Sequence, residues 1–344
     1  MSPLPLRIAI AGAGIMGRAH AEAFLACGAR IVACVDSHAE RARELAAASG
    51  GTAFGTVAEA LREKPDALSI CLPHSLHFEA AMQAVDQNVA LLMEKPHCIT
   101  LAESRALRAA CAQRGVMAMA GFTHRFLATS LQLKSLIAAG RLGRIDLAVD
   151  RLVANSLGDH APAWYRDRAL AGGGIAMIGM IHSIDRLRWL LGGEITRVFA
   201  LTRPPVSAGD VENTALALLE FSNGAQASLV AHRTPAPGHE RAHRYEIFGE
   251  KLVAHCSVGS FALQELELVG SGGERRKTVT DDRPFITEIQ EFTSALLAGR
   301  PATPDLLDAE IALGVVLAIY ESAQTGQPID LPEFIGHSSL LPHS

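Results

Sequence analysis

Aromatic residues are scarce in this chain of 344: two tryptophans and three tyrosines, with phenylalanine bringing the share to only 5%. Charge of one sign is lacking too. Thirty-one basic against 36 acidic residues leave a net of −5, without the basic stripe that nucleic-acid binding requires. No run reaches the ~18 uninterrupted apolar residues of a membrane span. The best candidate, 311–320, is too short, so no membrane association is expected. The first residues lead into a strand-like run with no secretory leader pattern. The six cysteines (27, 34, 71, 98, 111 and 256) show no CxxC spacing and mostly lie in apolar segments. They read as reduced core residues of a cytoplasmic protein, and no metal is expected. Internal repeats and low-complexity tracts are absent as well.

What is present begins with glycine. Gly12-Ala13-Gly14-Ile15-Met16-Gly17 follows the run Arg7-Ile8-Ala9-Ile10-Ala11 and opens a helix-like stretch over 18–27. A strand before and a helix after are the context in which GxGxxG cradles a dinucleotide. The first glycine permits the tight turn, the second lets backbone approach a pyrophosphate, and the third lets helix and strand pack closely. The next strand, 30–35, ends in Asp36, 19 positions beyond Gly17. A carboxylate there accepts from both ribose hydroxyls and repels a 2′-phosphate, which favours NAD. Arg41 and Arg43 lie close enough to leave NADP open.

Strand and helix patterns alternate through the first 120 residues, and such alternation implies a right-handed parallel sheet. Helices are expected at 39–48, 57–63, 78–87 and 101–114, and strands at 67–72, 89–93 and 116–121. After 122–126 and a helix over 130–139, short alternating runs dominate: 145–154, 196–201, 213–221, 226–232 and 244–249. They suggest a mostly antiparallel sheet, and Asn223-Gly224 is a hairpin signal. One long helix, 175–191, interrupts the series, and two more, 285–297 and 307–324, close it. The chain therefore reads as α/β. An N-terminal Rossmann doubly wound parallel sheet occupies 1–124. A C-terminal α+β domain with a large, mostly antiparallel open sheet occupies 125–344.

The tripeptide Glu94-Lys95-Pro96 closes the apolar run Val89-Ala90-Leu91-Leu92-Met93. A lysine at the carboxyl end of a buried parallel strand stands at the rim where α/β sheets bind ligands. Proline after it fixes φ and restricts Lys95 to extended backbone. A solvated strand-end charge is the plainer alternative.

Together these residues resemble the Gfo/Idh/MocA family. The likeness includes the glycine loop with Met16 and His20, Leu72-Pro73-His74 followed by His77, and Glu94-Lys95-Pro96. It continues through Gly121…Arg125-Phe126, Gly172-Gly173-Gly174 and His182-Ser183-Ile184-Asp185. The resemblance implies hydride transfer between a nicotinamide and a sugar, cyclitol or related hydroxy compound. It implies cofactor contacts from Gly12 to Gly17, Asp36, Arg41, Leu72, Pro73, His74 and His77, continuing through Glu94, Lys95, Pro96 and Arg125. It also implies substrate contacts from Lys95, Arg125, Asn155, Trp164, Tyr165, Arg166, His182 and Asp185. A homodimer or homotetramer built on the open sheet is a further implication.

In that family Lys95 corresponds to the catalytic lysine and His182 to the catalytic histidine. Two positions depart from the pattern. Ile178 stands where the family often has aspartate, and Met180 where it usually has glycine. On an α-helix 178, 182, 185 and 189 share one face, so Asp185 remains to orient His182. Neutral histidine, with an unperturbed pKa of about 6.5, suits removal of a hydroxyl proton. Lys95 suits stabilising charge on the same oxygen, and Tyr165 is a substitute proton donor for the missing aspartate. A packed core histidine, and an ordinary packed Trp164–Tyr165 pair, fit the same residues. Two other functions fit the motifs: a cofactor-retaining lyase or glycoside-cleaving enzyme working by transient oxidation, and a catalytically silent NAD-sensing regulator.

Overall fold

In a computed structural model the chain forms two compact units, described over residues 5–155, 162–203, 209–234, 242–259, 263–270, 272–273 and 275–336. One unit runs to Phe122 and takes in 285–310 as well. Its strands are β1 (Arg7–Ala11), β2 (Arg30–Val35), β3 (Thr52–Phe54), β4 (Ala67–Ile70), β5 (Ala90–Glu94) and β6 (Ala118–Gly121). They form a six-stranded sheet in the order β3-β2-β1-β4-β5-β6, parallel throughout. Helices α1 (Ile15–Ala26), α2 (Ala39–Ser49), α3 (Val57–Leu61), α4 (His77–Asp86) and α5 (Leu101–Arg114) make the crossovers. Every residue of β4 and β5 is buried, as strands covered on both faces must be. Capping boxes start α3 (Thr56 with Glu59) and α5 (Thr100 with Glu103). The strand order reverses between β1 and β4, so the ligand crevice of such a sheet opens at the ends of those two strands.

The other unit comprises 123–284 and the chain from Ile311. It begins with α6 (Ala128–Ala138), β7 (Ile145–Asn155) and α7 (Arg168–Ala171), followed by a π-helical turn over Ala176–Met180 and α8 (Ile181–Leu191). Strands β8 (Ile195–Arg203), β9 (Thr214–Phe221), β10 (Gln226–Thr234), β11 (Ala242–Gly249) and β12 (Leu252–Val258) follow. With β13 (Leu263–Gly270), β14 (Arg275–Asp281) and β15 (Ile329–Asp330) they build a nine-stranded sheet. Its order is β14-β13-β12-β11-β7-β10-β9-β8-β15. All pairs are antiparallel except β7 with β10. Alternate residues of β9 and β10 are buried. Their other face leaves Leu216 and Leu218 exposed beside Leu201 of β8. Asn223-Gly224 does turn the β9–β10 hairpin, with Gly224 at φ 87°.

Two expectations need correction. The segment 175–191 is not one α-helix, because the π turn inserts ahead of α8. A π turn is wider than an α turn, so the register that would align 178 with 182 is lost. Ile178 and Gly179 are half-buried, while every residue from Met180 to Leu187 is buried. The division at 124 also misses a return of the chain. Helix α9 (Pro284–Ala298) belongs from Phe285 onward to the first unit, as does α10 (Leu306–Thr325) up to Glu310. Phe292 meets Phe24 of α1 edge to face at 6.0 Å. No helix among the described residues is long and apolar enough to cross a membrane.

Candidate functional site

The glycine loop occupies the turn between β1 and α1. A side chain at Gly12 (φ 98°) would meet the Cys71 carbonyl at 2.3 Å, and one at Gly17 would meet the Gly12 carbonyl at 1.7 Å. A side chain at Gly14 would meet no other described residue within 4 Å, so the second glycine faces open space where the other two are pressed against backbone. Helix α1 starts at Gly14 with no side-chain cap and no acidic residue in its first turn, leaving open N–H groups for an anion. Asp36, buried at the end of β2, accepts from Ala13 N–H at 3.0 Å and from His38 N–H at 2.8 Å. Each of its oxygens keeps a further lone pair. Ile15 stands 74% exposed beside the loop. These features fit a dinucleotide: a phosphate cradle, a helix N-terminus and a ribose acceptor. Arg41 and Arg43 are exposed on α2.

Lys95 follows β5 directly and is half-buried; its peptide to Pro96 is cis. A buried chain of polar groups fixes the segment. Glu94 accepts from the Lys95 N–H at 3.1 Å and from His20 Nε2 at 3.1 Å, while His20 Nδ1 lies 2.9 Å from Ser69 Oγ. Burial alone opposes charge on His20, but Cys71 and Glu94 outweigh it and raise its pKa well above the ordinary value. Burial likewise pushes Glu94 up, and His20 and Lys95 outweigh it, holding the carboxyl below its ordinary range. The two shifts agree on an ion pair.

His77, expected at the cofactor, is fully buried. Its Nδ1 lies 2.9 Å from the Pro96 carbonyl and its Nε2 2.8 Å from that of Leu72. Burial lowers its pKa, and a neutral ring donates to one of the two carbonyls at a time. The residue ties the loop after β4 to the loop after β5 rather than facing a ligand. His74 is buried beside it, rings 5.7 Å apart, whereas Leu72 and Pro73 stay half-open.

In the second unit His182 stands in the first turn of α8 and is buried. Its ring stacks on His124 at 4.1 Å and 15°. His124 Nδ1 lies 3.1 Å from Arg186 Nη1. A guanidinium only donates, so a hydrogen bond there would use the lone pair of Nδ1. Arg186 is completely buried. It donates to Asp150, lies 2.9 Å from His243 Nε2, and covers the Tyr245 ring at 3.8 Å. Asp150 also accepts from Ser183 Oγ at 2.8 Å and from His243 Nε2 at 3.0 Å. Burial would raise its pKa, but His243 and Arg186 hold it at about 2. Asp185 accepts from Arg125 with both oxygens, at 2.8 and 2.5 Å. Arg125, expected to contact both cofactor and substrate, is thus a buried ion-pair partner.

Trp164 and Tyr165 meet edge to face at 4.3 Å in the short 3-10 turn Ala163–Arg166, where they and Arg166 are half-buried. Asn155 closes β7, and His160 lies outside the described residues. The expectation that the histidines form no HxxxH or HExxH pair is wrong as to spacing, since His239-Glu240-Arg241-Ala242-His243 has it. Of that stretch 239–241 lie outside the described residues, and His243 belongs to strand β11, not to the helix this zinc motif needs. Among the described residues no three His, Cys, Asp or Glu side chains are grouped to hold a metal ion.

Sequence reasoning missed His20, His124, Asp150, Arg186 and His243 as parts of these clusters. It also missed Glu212, which binds the Gly174 and Ala176 N–H groups ahead of α8 at 2.8 and 2.9 Å.

Comparison with known proteins adds the following. Residues 6–122 match the family described as "Oxidoreductase family, NAD-binding Rossmann fold", and 130–255 match "GFO/IDH/MocA C-terminal domain". A myo-inositol dehydrogenase of Streptomyces leeuwenhoekii is 30% identical over 334 residues, 93% of this chain and 98% of that protein. The NAD(+)-dependent scyllo-inositol 2-dehydrogenase of Bacillus subtilis is 28% identical over 95% of this chain and 96% of its own. The crystal structure of an aldose-aldose oxidoreductase from Caulobacter crescentus, complexed with glycerol, superposes with a TM-score of 0.85. It is 26% identical and covers 95% of this chain and 99% of that one.

Proposed function

This chain belongs to the GFO/IDH/MocA oxidoreductase family, and on that premise we propose that it moves a hydride between NAD and a secondary alcohol or ketone carbon of a sugar, cyclitol or related hydroxy compound. The observation that carries the cofactor half is the contrast among the three loop glycines: two hemmed in by backbone, and Gly14 open before the uncapped start of α1. Inositol dehydrogenases among the full-length relatives support the substrate class.

NAD, when bound, supplies the hydride acceptor. The remaining work falls to the chain. Asp36 takes the adenosine ribose hydroxyls through its free lone pairs and disfavours a 2′-phosphate. Lys95, its backbone held by Glu94 and His20, stabilises negative charge developing on the substrate oxygen. His182 accepts the hydroxyl proton, its ring plane kept by the stack on His124. Tyr165 and Trp164 offer a flat apolar edge to a sugar ring. The exposed leucines of the nine-stranded sheet, Leu201, Leu216 and Leu218, support a homodimer or larger homo-oligomer in which a second copy covers that face.

The test is a nicotinamide absorbance screen of sugars, inositols and their keto forms, with NAD and NADP in parallel. Reduction of NAD by a polyol supports the reading. NAD binding with bond cleavage and no accumulating NADH would assign the chain to the lyase alternative, and NAD binding with no chemistry to the regulator.

A further inference from the structure

On strand β10 the buried row reads Ala227, Leu229, Ala231, Arg233. Three small or apolar side chains are followed by a guanidinium that is itself only 4% exposed. Its Nη1 is buried and has no hydrogen-bond partner among the described residues. The ionisable groups acting on it are Glu212, then Tyr165, Tyr320 and Arg166, the last of like charge. Glu212, the one anion among them, is already committed: it accepts from Gly174 N–H, Ala176 N–H and Tyr320 OH at 2.8, 2.9 and 2.9 Å. A buried cation therefore stands with a donor unused.

Its location matters equally. In the parallel pairing of β10 with β7, Arg233 lies opposite Ala154 and the next pair is Thr234 with Asn155. Tyr165 and Arg166 act on it from the 3-10 turn. Between Ile175 and Leu187 the half-open positions are Ile178 and Gly179, and neither carries a charge to neutralise Arg233.

Resting on the dehydrogenase reading, the geometry points to Arg233 as the receptor for a carboxylate on the substrate, which makes the preferred substrate a polyhydroxy acid, such as a uronate or a cyclic hydroxy acid, rather than a neutral polyol. A carboxylate supplies the acceptor that Nη1 lacks and adds a second negative charge beside that of Glu212, whose oxygens are engaged by other donors, through a charge-assisted and potentially two-point contact. A site with a buried unpaired donor discriminates strongly against analogues that lack the acceptor.

The experiment uses matched acid and neutral pairs: D-glucuronate with D-glucose, D-galacturonate with D-galactose, and quinate with myo-inositol. They are assayed with NAD on the wild type, Arg233→Leu and Arg233→Lys, alongside calorimetric NAD binding and thermal melts. The wild type is expected to favour the acid of at least one pair by about 100-fold in kcat/KM. Arg233→Leu should erase that preference while leaving the neutral partner and NAD affinity unchanged, and Arg233→Lys should retain part of it. Without ligand, Arg233→Leu should melt higher than the wild type, since a buried donor with no acceptor is gone. The acids should raise the melting temperature of the wild type and not of the variant. A wild-type preference for the neutral member of every pair would overturn the proposal. So would equal losses for both members in Arg233→Leu, or a lower melting temperature for it together with no acid-induced shift in the wild type. If NAD is not bound or no hydride moves, the dehydrogenase reading fails by itself, and the melts with acids still decide the role of Arg233.

Discussion

Replacing Asp150 by asparagine removes one charge from the buried cluster behind His182 and changes little else in shape. Asp150 sits on β7, almost fully buried, and accepts from Arg186, His243 and Ser183. Its ordinary pKa of 3.8 falls to about 2, because His243 and Arg186 outweigh burial, which alone would raise it. A carboxyl that binds its proton less readily in the folded chain stabilises the fold above pH 3.8, and that stability is lost as pH falls through about 2. The gap corresponds to roughly 2–3 kcal/mol. Asparagine forfeits it, and because the same interaction is what pairs buried Arg186, the total cost is about 3–5 kcal/mol at most rather than a sum of the two. Urea unfolding followed by circular dichroism at neutral pH measures the loss. A pH series from 5 down to about 2 should show the wild type losing stability faster than the variant. Turnover should fall because Arg186 positions His124 beneath His182, while NAD affinity holds, its loop lying in the other unit. A double replacement, Asp150→Leu with Arg186→Met, should recover much of the stability, since apolar side chains of similar volume often replace a buried pair without loss. The reasoning is refuted if Asp150→Asn costs less than about 1 kcal/mol, or if wild type and variant lose stability in parallel below pH 4.

Three further outcomes follow from the same geometry. Lys95→Met should lower turnover at least about a hundredfold with little change in NAD affinity; unaltered turnover would remove Lys95 from the chemistry. Gly14→Ala meets nothing in the protein, so it should fold normally and yet lose NAD affinity by calorimetry. Gly17→Ala drives a methyl into the Gly12 carbonyl and should lower the melting temperature as well; equal behaviour of the two would contradict the cradle. Leu218→Lys on the exposed sheet face should reduce the mass seen by light scattering to that of one chain, and an unchanged oligomer would place the interface elsewhere.

How much of this was legible depended on how each segment is buried. Strands covered on both faces read as apolar runs, and the capping boxes at Thr56 and Thr100 announce their helices directly, so the first sheet and its glycine loop were clear. Strand β3 escaped notice, being three residues long and exposed or half-buried at a sheet edge. Strands β13 and β14 were missed for another reason: charged residues such as Glu265, Glu267 and Arg275 fall on the accessible side and dilute the alternation. Nor can alternation show that β7 and β10 run parallel. The return of 285–310 was invisible because an amphipathic helix does not declare which core it joins; Phe292 finds Phe24 only after both helices have packed.

The charged residues were harder, yet a usable signal existed. In a strand with one buried face, a charge falling in phase with the buried row has to be paired or wait for a partner. Asp150 falls in phase with Ala148 and Leu152, His243 with Tyr245 and Ile247, and Arg233 with Leu229 and Ala231. Periodicity therefore marks all three without saying which is which. Their partners are contributed by elements far away in sequence, so only packing separates the cases. Asp150 and His243 meet each other and Arg186, and their charges are satisfied inside the fold. Arg233 is acted on by Glu212, a carboxylate already committed to two backbone N–H groups and a tyrosine. Each guanidinium keeps one buried donor without a hydrogen-bond partner among the described residues, Nε of Arg186 and Nη1 of Arg233, so what separates them is the anion: Asp150 accepts directly from Arg186, whereas the oxygens of Glu212 are engaged by other donors. On that distinction Arg186 and Arg233, both buried guanidiniums on the same side of one sheet, should respond oppositely to apolar replacement: the first destabilising the chain, the second stabilising it.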